Sequence, residues 1–154
     1  MKRKIICLLF IFPLIGINYL SAQITKSHIQ DMYVTYLRSE GYYPSVDSDG
    51  DVNFTAHGHR FYIDVMENDL QSFRIVLTGF IDIGGSSKRL RAFEEASYVT
   101  RTTKAVRLFI TASDRIAIDS FIFIANPEDF KIHLNRMVNI IISSRSEFLE
   151  RMNR

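Results

Sequence analysis

Between residues 27 and 40 the apolar side chains Ile29, Met32, Tyr33, Tyr36 and Leu37 recur at intervals of three and four, the stripe of an amphipathic helix. Ser27 followed by Gln30 fits a capping box at its start, and Gly41 supplies the left-handed stop. Beyond Gly41 the period drops to two. Tyr42 to Val46, then Val52, Phe54 and Ala56, then Phe61, Ile63 and Val65, then Phe73, Ile75 and Leu77 alternate with polar residues, as half-buried strands do. Asp49-Gly50, His57-Gly58 and Glu67-Asn68-Asp69 separate them as turn-forming clusters. The pattern predicts four antiparallel strands in a meander.

Gly84-Gly85-Ser86-Ser87 breaks the alternation and predicts a helix over roughly 87 to 101, with Leu90, Phe93, Ala96 and Ser97 inward and Lys88, Arg89, Arg91, Glu94 and Glu95 outward. Two further strands, 104 to 111 and 115 to 125, flank the turn Ala112-Ser113-Asp114 and are rich in β-branched and aromatic residues. The second is apolar on both faces towards its end, which predicts a central, doubly covered strand. Asn126-Pro127-Glu128-Asp129 then offers an N-cap, a proline at the first helical position and two acids in the first turn. Behind it Phe130, Leu134, Met137, Val138, Ile141, Phe148, Leu149 and Met152 mark a long C-terminal helix. The predicted class is α+β: N-terminal helix, antiparallel meander, helix, two more antiparallel strands, and a long helix packed on the sheet, in one domain over 23–154.

Residues 1–22 read differently. A basic start, Lys2-Arg3-Lys4, precedes an apolar stretch from Ile5 to Ile17 and a small-residue exit, Ser21-Ala22, the three parts of a secretory signal. The stretch is shorter than the roughly 20 residues that span a bilayer, and Pro13 and Gly16 interrupt it. The expectation is cleavage after Ala22, a periplasmic or secreted protein, and no stable membrane anchor afterwards. Cleavage would change the formal net charge from +2 to about −1. It would also remove Cys7, the sole cysteine, and with it any disulfide or thiol chemistry. About 130 residues would remain, enough to bury a core without staples.

Candidate chemistry is sparse. His57-Gly58-His59, with His28 and His133 elsewhere, invites a metal reading, yet the pair falls on a predicted turn with no cysteine and no placed acid. Asp47-Ser48-Asp49-Gly50-Asp51 looks like part of a calcium loop, but the glycine is fourth rather than sixth, and Gly58 stands where a glutamate is needed. A hairpin turn explains it better. The glycines of 79 to 85 lack the spacing of a phosphate-binding loop. No nucleophile elbow is present, and the adjacent acids Glu94 and Glu95 point to different sides of a helix. The basic run Lys88, Arg89, Arg91, Arg101, Lys104 and Arg107 suits a solvated helix face better than nucleic acid. No catalytic, cofactor or metal site is predicted.

Leu37 to Tyr42, the hairpin Val46 to Phe54 (Val-Asp-x-Asp-Gly-Asp-Val-x-Phe), Phe61-Tyr62-Ile63-Asp64-Val65, the passage from Ala96 to Phe109 and the C-terminal helix together resemble the YbjN family of bacterial sensory transduction regulators and, more broadly, the type III secretion chaperone-like fold. The resemblance implies a non-enzymatic binding domain, often a homodimer, that holds protein segments along sheet and helix surfaces. The function expected is an exported protein-interaction domain. Its contact candidates are Tyr33, Tyr36, Tyr42, Tyr43, Phe80 and Ile81. An alternative is a carrier of an apolar ligand or lipid in a cavity lined by Phe54, Phe61, Phe73, Phe109 and Phe121. A third, a hydrolase assembled from distant residues, needs a histidine, an acid and a nucleophile in one cleft.

Overall fold

The computed structural model describes residues 24–66 and 68–154; the expected signal segment, residues 1–22, lies outside them. The chain runs α1 (Lys26–Ser39), β1 (Ser45–Val46), β2 (Val52–Ala56), β3 (His59–Asp64), β4 (Ser72–Asp82), α2 (Ser86–Thr102), β5 (Arg107–Ile110), β6 (Arg115–Phe123), a 3-10 turn (Pro127–Asp129) and α3 (Phe130–Met152). The strands form one antiparallel sheet in the order β1-β2-β3-β4-β6-β5. This is the α+β architecture that the periodicity predicts, with three helices and a long C-terminal helix on the sheet.

Local chemistry sets most element ends. Gly41, at φ +86°, stops α1, and the N–H of Tyr42 donates to Leu37 O while that of Gly41 donates to Arg38 O, satisfying two of the last carbonyls. The start differs from expectation: Thr25, not Ser27, is the N-cap, and its hydroxyl accepts from His28 N. His57 and Gly58, both at positive φ, form the two-residue loop between the paired Ala56 and His59, as the twist of a hairpin favours. Asn126 and Asp129 complete a capping box around Pro127. In β4 the register jumps between Leu77 and Ile81 opposite Ile118 and Ile116, a bulge at which a Cβ on Gly79 would stand 2.7 Å from Arg115 Cβ.

All three helices cover one face of the sheet. That face carries Val52, Phe54, Phe61, Ile63, Phe73, Ile75, Leu77, Ile116 and Ile118, all buried, and each such side chain contributes about 1.5–3 kcal/mol of transfer free energy. Tyr33 of α1 and Phe130 of α3 meet over Phe73, with ring centroids 4.7 Å apart and 5.7 and 5.6 Å from Phe73. Helix α2 packs Ala92, Ala96 and Val99 inward. Leu90 and Phe93, expected inside, are 61% and 63% exposed, because the small residues let α2 approach the sheet and α3 closely.

The prediction of a doubly covered strand for 115 to 125 is also corrected. Strand β6 lies inside the sheet, but helices cover only its Ile116, Ile118, Ser120 face, and Phe121 and Phe123 emerge on the other side.

Candidate functional site

The face of the sheet away from the helices is formed by Arg60, Tyr62 and Asp64 of β3, Arg74 and Val76 of β4, Ala117, Asp119, Phe121 and Phe123 of β6, and Arg107 and Phe109 of β5. These residues alternate with the core positions, since successive side chains of a strand point to opposite faces. At its centre Asp119 is almost wholly buried, its side chain 3% exposed, although it belongs to the face without helices. Arg74 Nε donates to Asp119 Oδ2 at 2.9 Å and Arg74 Nη1 to Asp64 Oδ2 at 2.9 Å. Arg107 donates through Nη2 to Asp119 Oδ2 at 2.5 Å and through Nε to Oδ1 at 3.2 Å. The result is a ladder, Asp64, Arg74, Asp119, Arg107, across four strands, with the Phe109 ring 5.3 Å from the Arg107 guanidinium and 6.0 Å from that of Arg74.

The register builds this ladder. Arg74 stands opposite Asp64 on one side and Phe121 on the other, and Asp119 stands opposite Arg107, so each guanidinium reaches a carboxylate directly or on the diagonal. Burial opposes the charge of Arg74, but the hydrogen bonds that it donates to Asp119 and Asp64 outweigh it, and its pKa lies above the ordinary guanidinium value. Burial likewise pushes the Tyr62 hydroxyl up, with Arg74 pulling in the opposite direction. Beside the ladder an open cleft of about 500 Å³ is lined by Arg74, Ala105, Val106, Arg107, Asp119 and Phe121. Phe121, 38% exposed, and Phe123, 74% exposed, stand edge to face at 4.8 Å next to it. Exposed aromatics grouped with arginine are the composition of interface hot spots.

The contact residues expected from sequence are scattered. Tyr33 is core. Tyr36, Tyr42, Phe80 and Ile81 are half-buried and packed against that core, Tyr36 on Phe130, Tyr42 on Phe54 and Phe80 on Phe148. Tyr43 alone is open, at 96% exposure, after the end of α1. The phenylalanines considered for a carrier cavity divide between the two faces: Phe54, Phe61 and Phe73 lie under the helices, Phe109 and Phe121 on the other side.

The remaining candidates resolve locally. His57 lies in the hairpin loop and His59 directly after it, and no three His, Cys, Asp or Glu side chains converge as metal ligands among the described residues. Asp47 Oδ1 accepts from the N–H groups of Asp49 and Asp51, and Oδ2 from Asn53 Nδ2, an Asx turn; the Asn53 bond chiefly holds its pKa below the usual carboxylate value. A shallow cleft on α1 does hold His28, Asp31, Thr35 and Ser39 with Glu128 and Lys131. His28 and Thr35 are two helical turns apart, roughly 10 Å, Ser39 Oγ donates to Tyr36 O, and Lys131 pairs with Glu128. Sequence reasoning missed Asp119 and Arg74, and it placed Arg107 in a basic run read as a solvated helix face, whereas Arg107 opens strand β5 and pairs with Asp119. The signal was present in Asp119, a lone acid in the apolar run Ile116 to Ile124.

Fold and site together define an α+β domain with a half-covered antiparallel sheet and an aromatic and ionic patch on its open face. The chain is similar in fold to a crystal structure of an uncharacterized protein from Methanothermobacter thermautotrophicus, with a TM-score of 0.58 and 12% identity over 81% of this chain and 96% of that one. No family model and no curated relative matches the chain. Among the described residues no helix is long and apolar enough to cross a membrane.

Proposed function

We propose that the chain is an exported, non-enzymatic protein-binding domain that engages its partner through the open face of the sheet. The observation that carries this reading is the pair Phe121 and Phe123, exposed beside a cleft whose arginines are already oriented by Asp119. Burying two phenylalanine rings supplies the apolar centre of an interface, and a pre-ordered arginine loses little entropy on contact. The charged groups hold one another rather than a nucleophile or a proton acceptor, which suits binding better than catalysis. The resemblance to the YbjN family supports the same role, and the basic, apolar start of the chain supports its working outside the cytoplasm.

The test compares the native chain, recovered from the envelope fraction of its own cells, with the double variant Phe121→Ser/Phe123→Ser. Mass spectrometry and light scattering should find one stoichiometric protein partner, or a second copy, bound to the native chain and lost from the variant, with thermal stability retained. A native chain that carries only lipid, or a variant that binds as well, would refute it.

A further inference from the structure

Strand β6 is flanked by β5 over only half its length. Pairing with β5 runs from Ile116 to Asp119 and stops there, whereas pairing with β4 continues to Phe123. The cause lies at Ala105, which adopts φ +64° and whose carbonyl accepts from Ser120 Oγ at 2.7 Å. The chain leaving α2 therefore enters the sheet beside Ser120 and leaves the strand position next to Phe121 to Phe123 unfilled among the described residues.

The unfilled position offers a backbone ladder. Thr111 N–H donates to Arg115 O on the β5 side, Leu108 N–H turns away from β6 to Thr100 Oγ1, and Ile124 N–H donates to Gln71 O on the β4 side. In an antiparallel pair these directions alternate residue by residue, so the N–H and C=O groups of Phe121 and Phe123 face the empty lane. At the outer strands, β1 is only two residues long, and the outward N–H of Leu108 on β5 donates to Thr100 Oγ1. The Phe121 to Phe123 edge carries no charge or proline that would discourage pairing.

The lane is blind at one end, where Val106 and Arg107 close it beside the cleft already described. A strand added antiparallel to β6, the pairing used throughout this sheet, would run with its C-terminus towards that end. A parallel strand would bring an ammonium group there instead. Arg74 is divided between Asp64 and Asp119, whereas Arg107, 61% exposed, ends the ladder and pairs with Asp119 alone among the described residues, and Lys104 lies just before Ala105. The ladder thus ends on a largely exposed guanidinium beside the blind end, which attracts a carboxylate and repels an ammonium.

We infer that this half-lane binds the extended C-terminus of a partner protein, its terminal carboxylate at Arg107 and its last alternate side chains over Phe121 and Phe123. Strand addition of this kind draws affinity from main-chain hydrogen bonds and selectivity from alternate side-chain contacts. The inference rests on the protein-binding reading and names the chemistry of the partner.

The test is a titration of the isotope-labelled full chain, followed by NMR, with a hexapeptide of alternating threonine and valine bearing a free C-terminal carboxylate. Its C-terminal amide, and an amide whose last residue is aspartate, serve as comparisons. The free acid should move the Phe121 and Phe123 amide signals, and both amides should bind at least about ten-fold more weakly, a difference of about 1.4 kcal/mol. Arg107→Gln should erase the preference for the free acid while leaving the melting temperature within a few degrees. Unmoved signals, equal binding of acid and amide, equal binding of the aspartate amide, or amides at Phe121 and Phe123 already protected in a dimer of the chain alone would each overturn the inference. Loss of the native partner from the double phenylalanine variant, with no response to the peptide, would overturn this inference alone and leave the broader binding role standing.

Discussion

Replacing Asp119 by asparagine keeps the size of the side chain and removes the charge that joins Arg74 to Arg107. Hydrogen bonds to charged groups contribute about 1.5–3 kcal/mol net, but the two arginines do not weigh equally. Arg107 is largely solvated and regains water when released, so its share should not exceed about 1 kcal/mol. Arg74 is one-fifth exposed and keeps Asp64, so most of the cost comes from its half-satisfied guanidinium. The sum is about 2 kcal/mol for Asp119→Asn, and about 3 kcal/mol for Asp119→Ala, which also opens a gap between the two guanidinium groups. For a domain of this length 1 kcal/mol moves the midpoint by about 3–5 °C, so Asp119→Asn should melt roughly 6–10 °C lower. Thermal and urea unfolding followed by circular dichroism measure both quantities. A double-mutant cycle should give Asp119 a larger coupling to Arg74 than to Arg107. Asp119→Asn within about 0.5 kcal/mol of wild type, or Arg107→Gln as costly as Asp119→Asn, would refute the reasoning.

Two further perturbations test other parts of the fold. Gly79→Ala places a methyl against Arg115 Cβ, an atom fixed by the backbone of β6, and should cost about 1–3 kcal/mol in urea unfolding, whereas Gly84→Ala, which meets only Asp82 Oδ1 at 3.3 Å, should cost less than half as much; equal costs would contradict the packing described at the bulge. Burial, then the charges of Arg145 and His57, lower the pKa of His59 below its ordinary value of 6.5. The unfolded chain therefore takes up the proton first, so the stability that neutral His59 contributes is fully present above about pH 6.5 and falls as pH drops through the folded-state value. Wild type should lose more stability than His59→Gln between pH 7 and pH 5, and parallel pH profiles would remove His59 from the account.

The proposed contact patch is the least legible part of the chain. Arg74, Arg107 and Asp119 belong to three strands, separated by 45 and 12 positions along the chain from Asp119, and no local pattern pairs them. The tyrosines expected as contacts rest on the rule that large apolar groups on a small domain mark partners, yet Tyr33 sits at the i, i+4 spacing of Ile29 and Leu37 and follows them inward. Phe121 and Phe123 looked like core for the opposite reason, since an apolar run cannot reveal which of its two faces receives a second layer.

Most of the places where elements end and reverse are legible in the sequence alone, because those events depend on neighbours within a few residues. Gly41 ends α1 by its left-handed backbone, His57-Gly58 turns a hairpin, Asn126-Pro127 opens the C-terminal helix, and the switch from period four to period two divides helix from strand. Tertiary structure decided which face of each element is covered. Helix α2 turned Ala92, Ala96 and Val99 inward and left Leu90 and Phe93 in water, since close approach of backbones favours small side chains at a crossing. It decided, too, that β5 leaves β6 at Asp119, so that a strand with core-like composition became an open edge. Such outcomes depend on strand order and register, which join residues far apart in the chain and leave no trace in any single stretch of it.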